Sequence, residues 1–164
     1  MRIDQRITIE APASLVWEIA LNASRRTEWD YRIVESELLT RGPLGKGTRG
    51  RLAGSIGMRF SMQYEYVQFD PIRRCSVKFT DIKGMPVASG GGGWTFTDLG
   101  ANRCQFATKG QFQLAKMPLA GLIGRLFLGP MVRWMTRKSL RRLKRLAEAE
   151  WTQKQESQQV AARI

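Results

Sequence analysis

Between Met58 and Tyr66 the side chains alternate without a break. Met58, Phe60, Met62, Tyr64 and Tyr66 fall on one face of an extended strand, and Arg59, Ser61, Gln63 and Glu65 fall on the other. A strand divided this way has an apolar face that must be covered by another layer. Its neighbours carry the same division. Ile3, Ile7 and Ile9 mark a first strand, Val34, Ser36 and Leu38 a second, and Arg49–Ser55 a third. Downstream, Cys75, Val77 and Phe79 precede Trp94 and Phe96, and then Cys104, Phe106, Thr108, Gly110, Phe112 and Leu114. Asp70-Pro71 and Asp98–Asn102 supply turns between them.

Two short helices interrupt the series after the first strand. Ala11-Pro12-Ala13-Ser14 opens one, with proline in the first turn where its missing N–H costs nothing, and Val16, Ile19, Ala20 and Ala23 as its buried stripe. Ser24–Asp30 is a second helical turn, capped by Ser24 and carrying Trp29.

The last third changes period. A helical segment runs from near Met117-Pro118 through Trp151, with a start or kink at Gly129-Pro130. At 100° per residue Val132, Leu140, Leu143, Ala147 and Trp151 form one stripe. Arg137, Lys138, Arg141, Arg142, Lys144 and Arg145 lie opposite, with Arg133 at the border. One strand, two short helices, a run of strands and one long helix make an α+β fold with an antiparallel sheet. The long helix is the element large enough to cover the apolar face. Residues 1–152 read as one domain and 153–164 as a polar tail that frays.

With 27 basic and 14 acidic residues the net charge is +13, which favours anionic partners and says nothing of fold. There is no histidine, and only Cys75 and Cys104 carry thiols, so a cysteine–histidine dyad or a zinc site is excluded. Both cysteines occupy apolar strand positions, which favours buried thiols over a bridge. No residue set points to a cofactor. The N-terminus lacks the pattern of a signal peptide, and Leu119–Leu128 is too short to span a bilayer and is broken by Arg125. A cytoplasmic protein, peripheral at a membrane if its basic helix binds one, is the expectation.

Ile9-Glu10-Ala11-Pro12-Ala13-Ser14-Leu15-Val16-Trp17, Glu28-Trp29-Asp30, Gly42-Pro43-Leu44-Gly45-Lys46-Gly47-Thr48, Asp70-Pro71 and the strand-to-helix ending resemble the START-like superfamily. That group includes polyketide cyclases, plant pathogenesis-related allergens and lipid-transfer domains. The resemblance implies the helix-grip fold: a seven-stranded antiparallel sheet around the C-terminal helix, with an apolar cavity between. It does not name a ligand. Gly45-x-Gly47-x-x-Gly50 matches a dinucleotide fingerprint in letters, but a strand follows instead of a helix N-terminus, so it reads as a turn. Gly90–Gly93 reads as a strand edge where a bulge or a close approach needs no side chain.

The candidate cavity residues are Trp29, Phe60, Met62, Tyr64, Tyr66, Phe79, Trp94, Phe96, Phe106 and Phe112, with Leu122 and Leu126 from the segment before the helix. Buried Tyr and Trp donors are natural fixed points for a ligand's oxygens. Met117–Leu128, with its glycines, is expected to border the cavity mouth. A hydrophobic or amphipathic small molecule, a lipid or a polyketide-like ring system, is the expected partner. A cyclase or dehydrase in which Tyr64 or Tyr66 polarises a carbonyl is the alternative, although no carboxylates pair and no catalytic residue is assigned. A third reading is an anionic membrane surface held by Arg133, Trp134, Arg137, Lys138, Arg141, Arg142 and Arg145, where a tryptophan among arginines suits a headgroup layer. The same Trp134 would also suit packing against the domain. Nucleic acid ranks lower, because no base-reading motif interleaves the cations.

Overall fold

The structure is a computed structural model describing residues 1–114 and 128–162. Seven strands form one antiparallel sheet in the order β1-β7-β6-β5-β4-β3-β2. They are β1 (Arg2–Ile9), β2 (Ile33–Leu38), β3 (Arg49–Ser55), β4 (Arg59–Asp70), β5 (Arg74–Lys83), β6 (Val87–Gly100) and β7 (Arg103–Leu114). From β2 to β7 every neighbour in the sheet is also a neighbour in sequence. Only β1 is brought from afar, pairing with β7 from Arg2↔Gln111 to Ile9↔Cys104. Helix α1 (Ala13–Leu21), a 3-10 turn (Ala23–Arg25) and the single turn α2 (Arg26–Trp29) connect β1 to β2, and α3 (Gly129–Ala161) closes the fold. This is the helix-grip architecture.

The alternation in β4 is realised as read, with Phe60, Met62, Tyr64 and Tyr66 buried on the inner face. Met58 precedes the strand and stays exposed. In β2 the reading fails. Ile33 is the buried residue, while Val34 is 64% exposed and Leu38 is exposed as well. The register against β3 slips between Ile33 and Glu35, which puts Val34 out of phase with Ser36 and Leu38, the partners of Leu52 and Gly50, while Leu38 is exposed at the strand's end. Gly90–Gly93 also corrects the expectation of an edge, because the run lies in the middle of β6 between β5 and β7. The close approach is real: a Cβ on Gly91 would stand 2.8 Å from the Val77 carbonyl oxygen, and one on Gly90 would stand 2.7 Å from the Phe112 ring. The cap before the second short helical stretch is Asn22 rather than Ser24, its Oδ1 accepting from the Ser24 N–H at 3.1 Å.

Helix α3 starts at Gly129 with Pro130 in its first turn. The expected helical start near Met117 lies outside the described residues. Val132, Leu140, Leu143 and Ala147 are buried as read, joined by Met135, Thr136 and Ser139, while Trp151 is half-buried. Complete burial of a leucine such as Leu143 contributes roughly 1.5–3 kcal/mol. The helix lies against β1, α1 and α2. Lys144 Nζ donates to the Thr8 carbonyl at 2.9 Å, Gln5 Nε2 donates to the Arg133 carbonyl at 3.0 Å, and Arg25 pairs with Glu150. Beyond Trp151, where the helix was expected to end, it continues to Ala161 with exposed side chains.

Candidate functional site

An apolar cavity of about 90 Å³ lies between the sheet and the start of α3. Ile33, Leu52, Phe60, Met62, Phe112 and Leu114 supply the sheet wall, Leu128 and Val132 the helix wall, and Met85–Val87 the turn between β5 and β6. The cavity occupies one end of the fold because the other end is filled. Trp17 of α1 drops onto Phe96 and Phe69, ring centroids 5.0 and 5.3 Å away, and closes that side.

Three polar residues, Arg26, Asp30 and Arg32, also line the cavity. Asp30 caps the end of α2, its N–H donating to the Arg26 carbonyl at 3.0 Å, so Arg26 and Asp30 meet one helical turn apart. Asp30 is fully buried. Its Oδ2 accepts from Arg26 Nη2 at 2.8 Å and Nε at 3.2 Å, and from Arg32 Nη2 at 3.0 Å. Its Oδ1 accepts from Arg32 Nε at 2.9 Å and from Ser139 Oγ at 3.1 Å. Arg32 Nη1 donates to Thr136 Oγ1 at 3.3 Å. Burial alone would raise the Asp30 carboxyl pKa. The attraction of Arg32 and then Arg26, with the hydrogen bonds from Arg32, outweighs it and holds the group well below the usual carboxylate range. The Arg26 guanidinium carbon sits in a corner between two indoles, 4.4 Å from the Trp29 ring centroid and 4.3 Å from that of Trp94.

The expected cavity residues separate into groups. Phe60, Met62 and Phe112 line the main cavity. Tyr64 and Tyr66 instead line a smaller void of about 20 Å³, with Arg26 and Leu52 bordering both. Burial raises the pKa of both phenols, so neither serves as a base near neutral pH. Phe79 shares the inner face and stacks against Phe112, centroids 5.7 Å apart, but does not line the main cavity. Trp29, Trp94, Phe96 and Phe106 are core: Phe106 is fully buried with Phe96 at 5.0 Å and both indoles at 6.4 Å. Alternation assigns the strand residues of this set to the inner face correctly but cannot tell which end α1 plugs. Leu122, Leu126 and most of the expected mouth lie outside the described residues.

Sequence reading missed Arg26, Arg32, Thr136 and Ser139. A signal existed in Arg26-x-x-x-Asp30-x-Arg32, whose charges flank a buried tryptophan, and in two hydroxyl residues on the apolar stripe of α3. Cys75 and Cys104 are buried and free, and burial pushes their thiols to about 12 and about 11, too high for thiolate chemistry at neutral pH.

On the outer side of α3, Trp134 is 57% exposed and meets Tyr31 edge-on at 6.1 Å. Lys138 Nζ lies 3.7 Å from the Tyr31 ring centroid, and the Arg142 guanidinium lies 4.8 Å from it. Arg133, Arg137, Arg141 and Arg145 are exposed. Among the described residues, none of these six cations has a carboxylate within ion-pair distance, and α3 carries no acidic residue before Glu148.

The family described as polyketide cyclase / dehydrase and lipid transport matches residues 1–148. Among solved structures, the chain is similar to the Zhui aromatase/cyclase from Streptomyces sp. R1128 (TM-score 0.77, 21% identity, 90% of this chain and 93% of that one). It is also similar to a protein from Thermus thermophilus (TM-score 0.73, 18% identity, 92% and 99% covered). A START superfamily protein from Mycobacterium smegmatis gives a TM-score of 0.68 at 16% identity, with 93% and 97% covered. At these identities the likenesses establish the fold. No curated protein matches the chain.

Proposed function

The chain belongs to the polyketide cyclase / dehydrase and lipid transport family, and from that premise we propose that residues 1–152 bind a hydrophobic or amphipathic small molecule between the sheet and α3. The observation that carries this reading is an apolar cavity with a single polar wall, the arrangement of ordinary small-molecule sites. At about 90 Å³ the cavity accepts a ring or a short alkyl portion of a ligand, since such sites usually span roughly 300–1,000 Å³. Native mass spectrometry of the purified protein is expected to find a co-purified lipid or ring compound. Filling the space with Val132→Phe is expected to weaken binding of an apolar fluorescent probe by about tenfold or more, with circular dichroism verifying the fold. Unchanged probe affinity in a folded Val132→Phe protein would count against the cavity. A cyclase that depends on Tyr64 or Tyr66 is less well supported, because both hydroxyl-bearing rings line the smaller void.

A second reading rests on a separate observation, the exposed Trp134 among cations that have no acidic partners among the described residues. It supports docking on an anionic lipid surface, where the indole sits among headgroups and each cation near the surface contributes on the order of 1 kcal/mol. Among the described residues no helix is long and apolar enough to cross a membrane. The protein is expected to sediment with phosphatidylglycerol-containing vesicles and to be released by high salt. A variant with Arg137, Arg141, Arg142 and Arg145 changed to Gln is expected to stay in the supernatant. Equal sedimentation of that variant would dismiss the reading, and binding to duplex DNA without vesicle binding would replace it.

A further inference from the structure

The polar wall of the main cavity holds two guanidinium groups and one carboxylate, so it carries an excess of positive charge away from bulk water. Arg32 uses all three of its guanidinium nitrogens, on Asp30 and Thr136. Arg26 does not. Its Nε and Nη2 are both held by Asp30, whereas Nη1 has no partner among the described residues. Beside it, Trp29 Nε1 is buried and also without a partner among the described residues. Buried donors are paired in the great majority of cases, so the orphaned indole N–H is unusual, and beside it Arg26, on the cavity wall, keeps a guanidinium nitrogen to offer an acceptor. The two indoles and Asp30 hold the guanidinium in place on the cavity wall.

We propose that Arg26 receives an oxyanion of the ligand, so that the cavity selects amphipathic molecules whose head is a carboxylate or a similarly charged oxygen group and whose apolar part lies against Leu52, Phe60, Met62 and Val132. This rests on the cavity-binding reading above and adds the ligand's class to it. An oxyanion there brings the wall to neutrality, and hydrogen bonds between charged partners contribute about twice what neutral ones do. A neutral head of the same size leaves the excess charge in place.

The experiment titrates hexanoate, octanoate and decanoate against hexanol, octanol and decanol at neutral pH, by calorimetry and by methyl NMR. The carboxylates are expected to bind at least about tenfold tighter than the matching alcohols, a difference of about 1.4 kcal/mol. Shifts are expected at the methyls of Ile33, Leu52 and Val132. In Arg26→Gln the preference should fall towards one with alcohol affinity little changed; this variant leaves Asp30 and Arg32 as a balanced pair. Arg26→Lys, which keeps the charge and loses the fork, should be intermediate. If neither series binds at these methyls, the cavity reading fails and this inference with it. Equal binding of acid and alcohol by the unaltered protein overturns the oxyanion site and leaves the cavity reading standing. A preference that survives in folded Arg26→Gln, or that vanishes instead when Arg137, Arg141 and Arg145 are neutralised, overturns the role of Arg26.

Discussion

Replacing Asp30 by Ala is expected to lower the unfolding free energy by about 3–5 kcal/mol, because it leaves two largely buried guanidinium groups without their shared counter-ion. The Ser139 hydroxyl loses an acceptor in the same change. Against a total stability of about 5–15 kcal/mol for ordinary domains, that is enough to unfold much of the population under mild denaturant. Arg26→Met, by contrast, leaves one carboxylate facing one guanidinium and is expected to cost less than Asp30→Ala. Urea titrations of both proteins decide the matter; similar costs would mean that packing against Trp29 and Trp94, and not charge balance, sets the loss. The effect has a pH signature. Since the folded-state pKa of Asp30 is lowered, its contribution is complete above the unfolded carboxylate value of about 3.9. It is then lost as pH falls from there towards the folded-state value. The stability gap between the unaltered protein and Asp30→Ala should therefore be constant near neutrality and narrow below about pH 4. A gap that stays constant into strong acid would show that the carboxylate is not the source.

Phe106→Ala is expected to be comparably damaging, costing about 3–5 kcal/mol in the same titration. The ring is fully buried on β7 and touches Phe96, Trp29 and Trp94 edge-on or tilted, so its removal opens a void that rigid neighbours cannot close. A readout specific to this position is tryptophan emission, expected to shift to longer wavelength as water reaches Trp29 and Trp94. A loss below about 1 kcal/mol would mean that the surrounding rings collapse inward instead. Because Arg26 rests in the corner of those indoles, the same variant should also blunt any preference for charged ligands without touching the cavity wall directly.

These residues show where sequence reading succeeds and where it stops. Period-two alternation in β4 and the stripe Val132–Leu140–Leu143–Ala147 are legible because each is a repeat within one element, enforced by one buried face. Val34 escapes such reading because a bulge is a property of the pairing between two strands, and β2 alone does not announce it. Alternation puts the aromatic set on the correct face but does not divide it between core and cavity. That division depends on where Trp17 lands, which is decided by the packing of α1 across the sheet. The Arg26–Asp30–Arg32–Ser139 cluster is least legible. Its members are drawn from α2, the loop after it and α3, with Asp30 and Ser139 109 positions apart, and charged side chains carry no periodicity that predicts burial.

The bare stretch of β6 has a mechanical corollary. With hydrogen in place of side chains from Gly90 to Gly93, carbonyls of the adjoining strands and the Phe112 ring occupy the space that Cβ atoms would need. That closeness is built into the pairing of β6 with β5 and β7. Exchanging residues along this run would pry the ribbon apart instead of reshaping it, so engineering a roomier interior has to begin at the cavity walls, with residues such as Leu52, Phe112 and Val132.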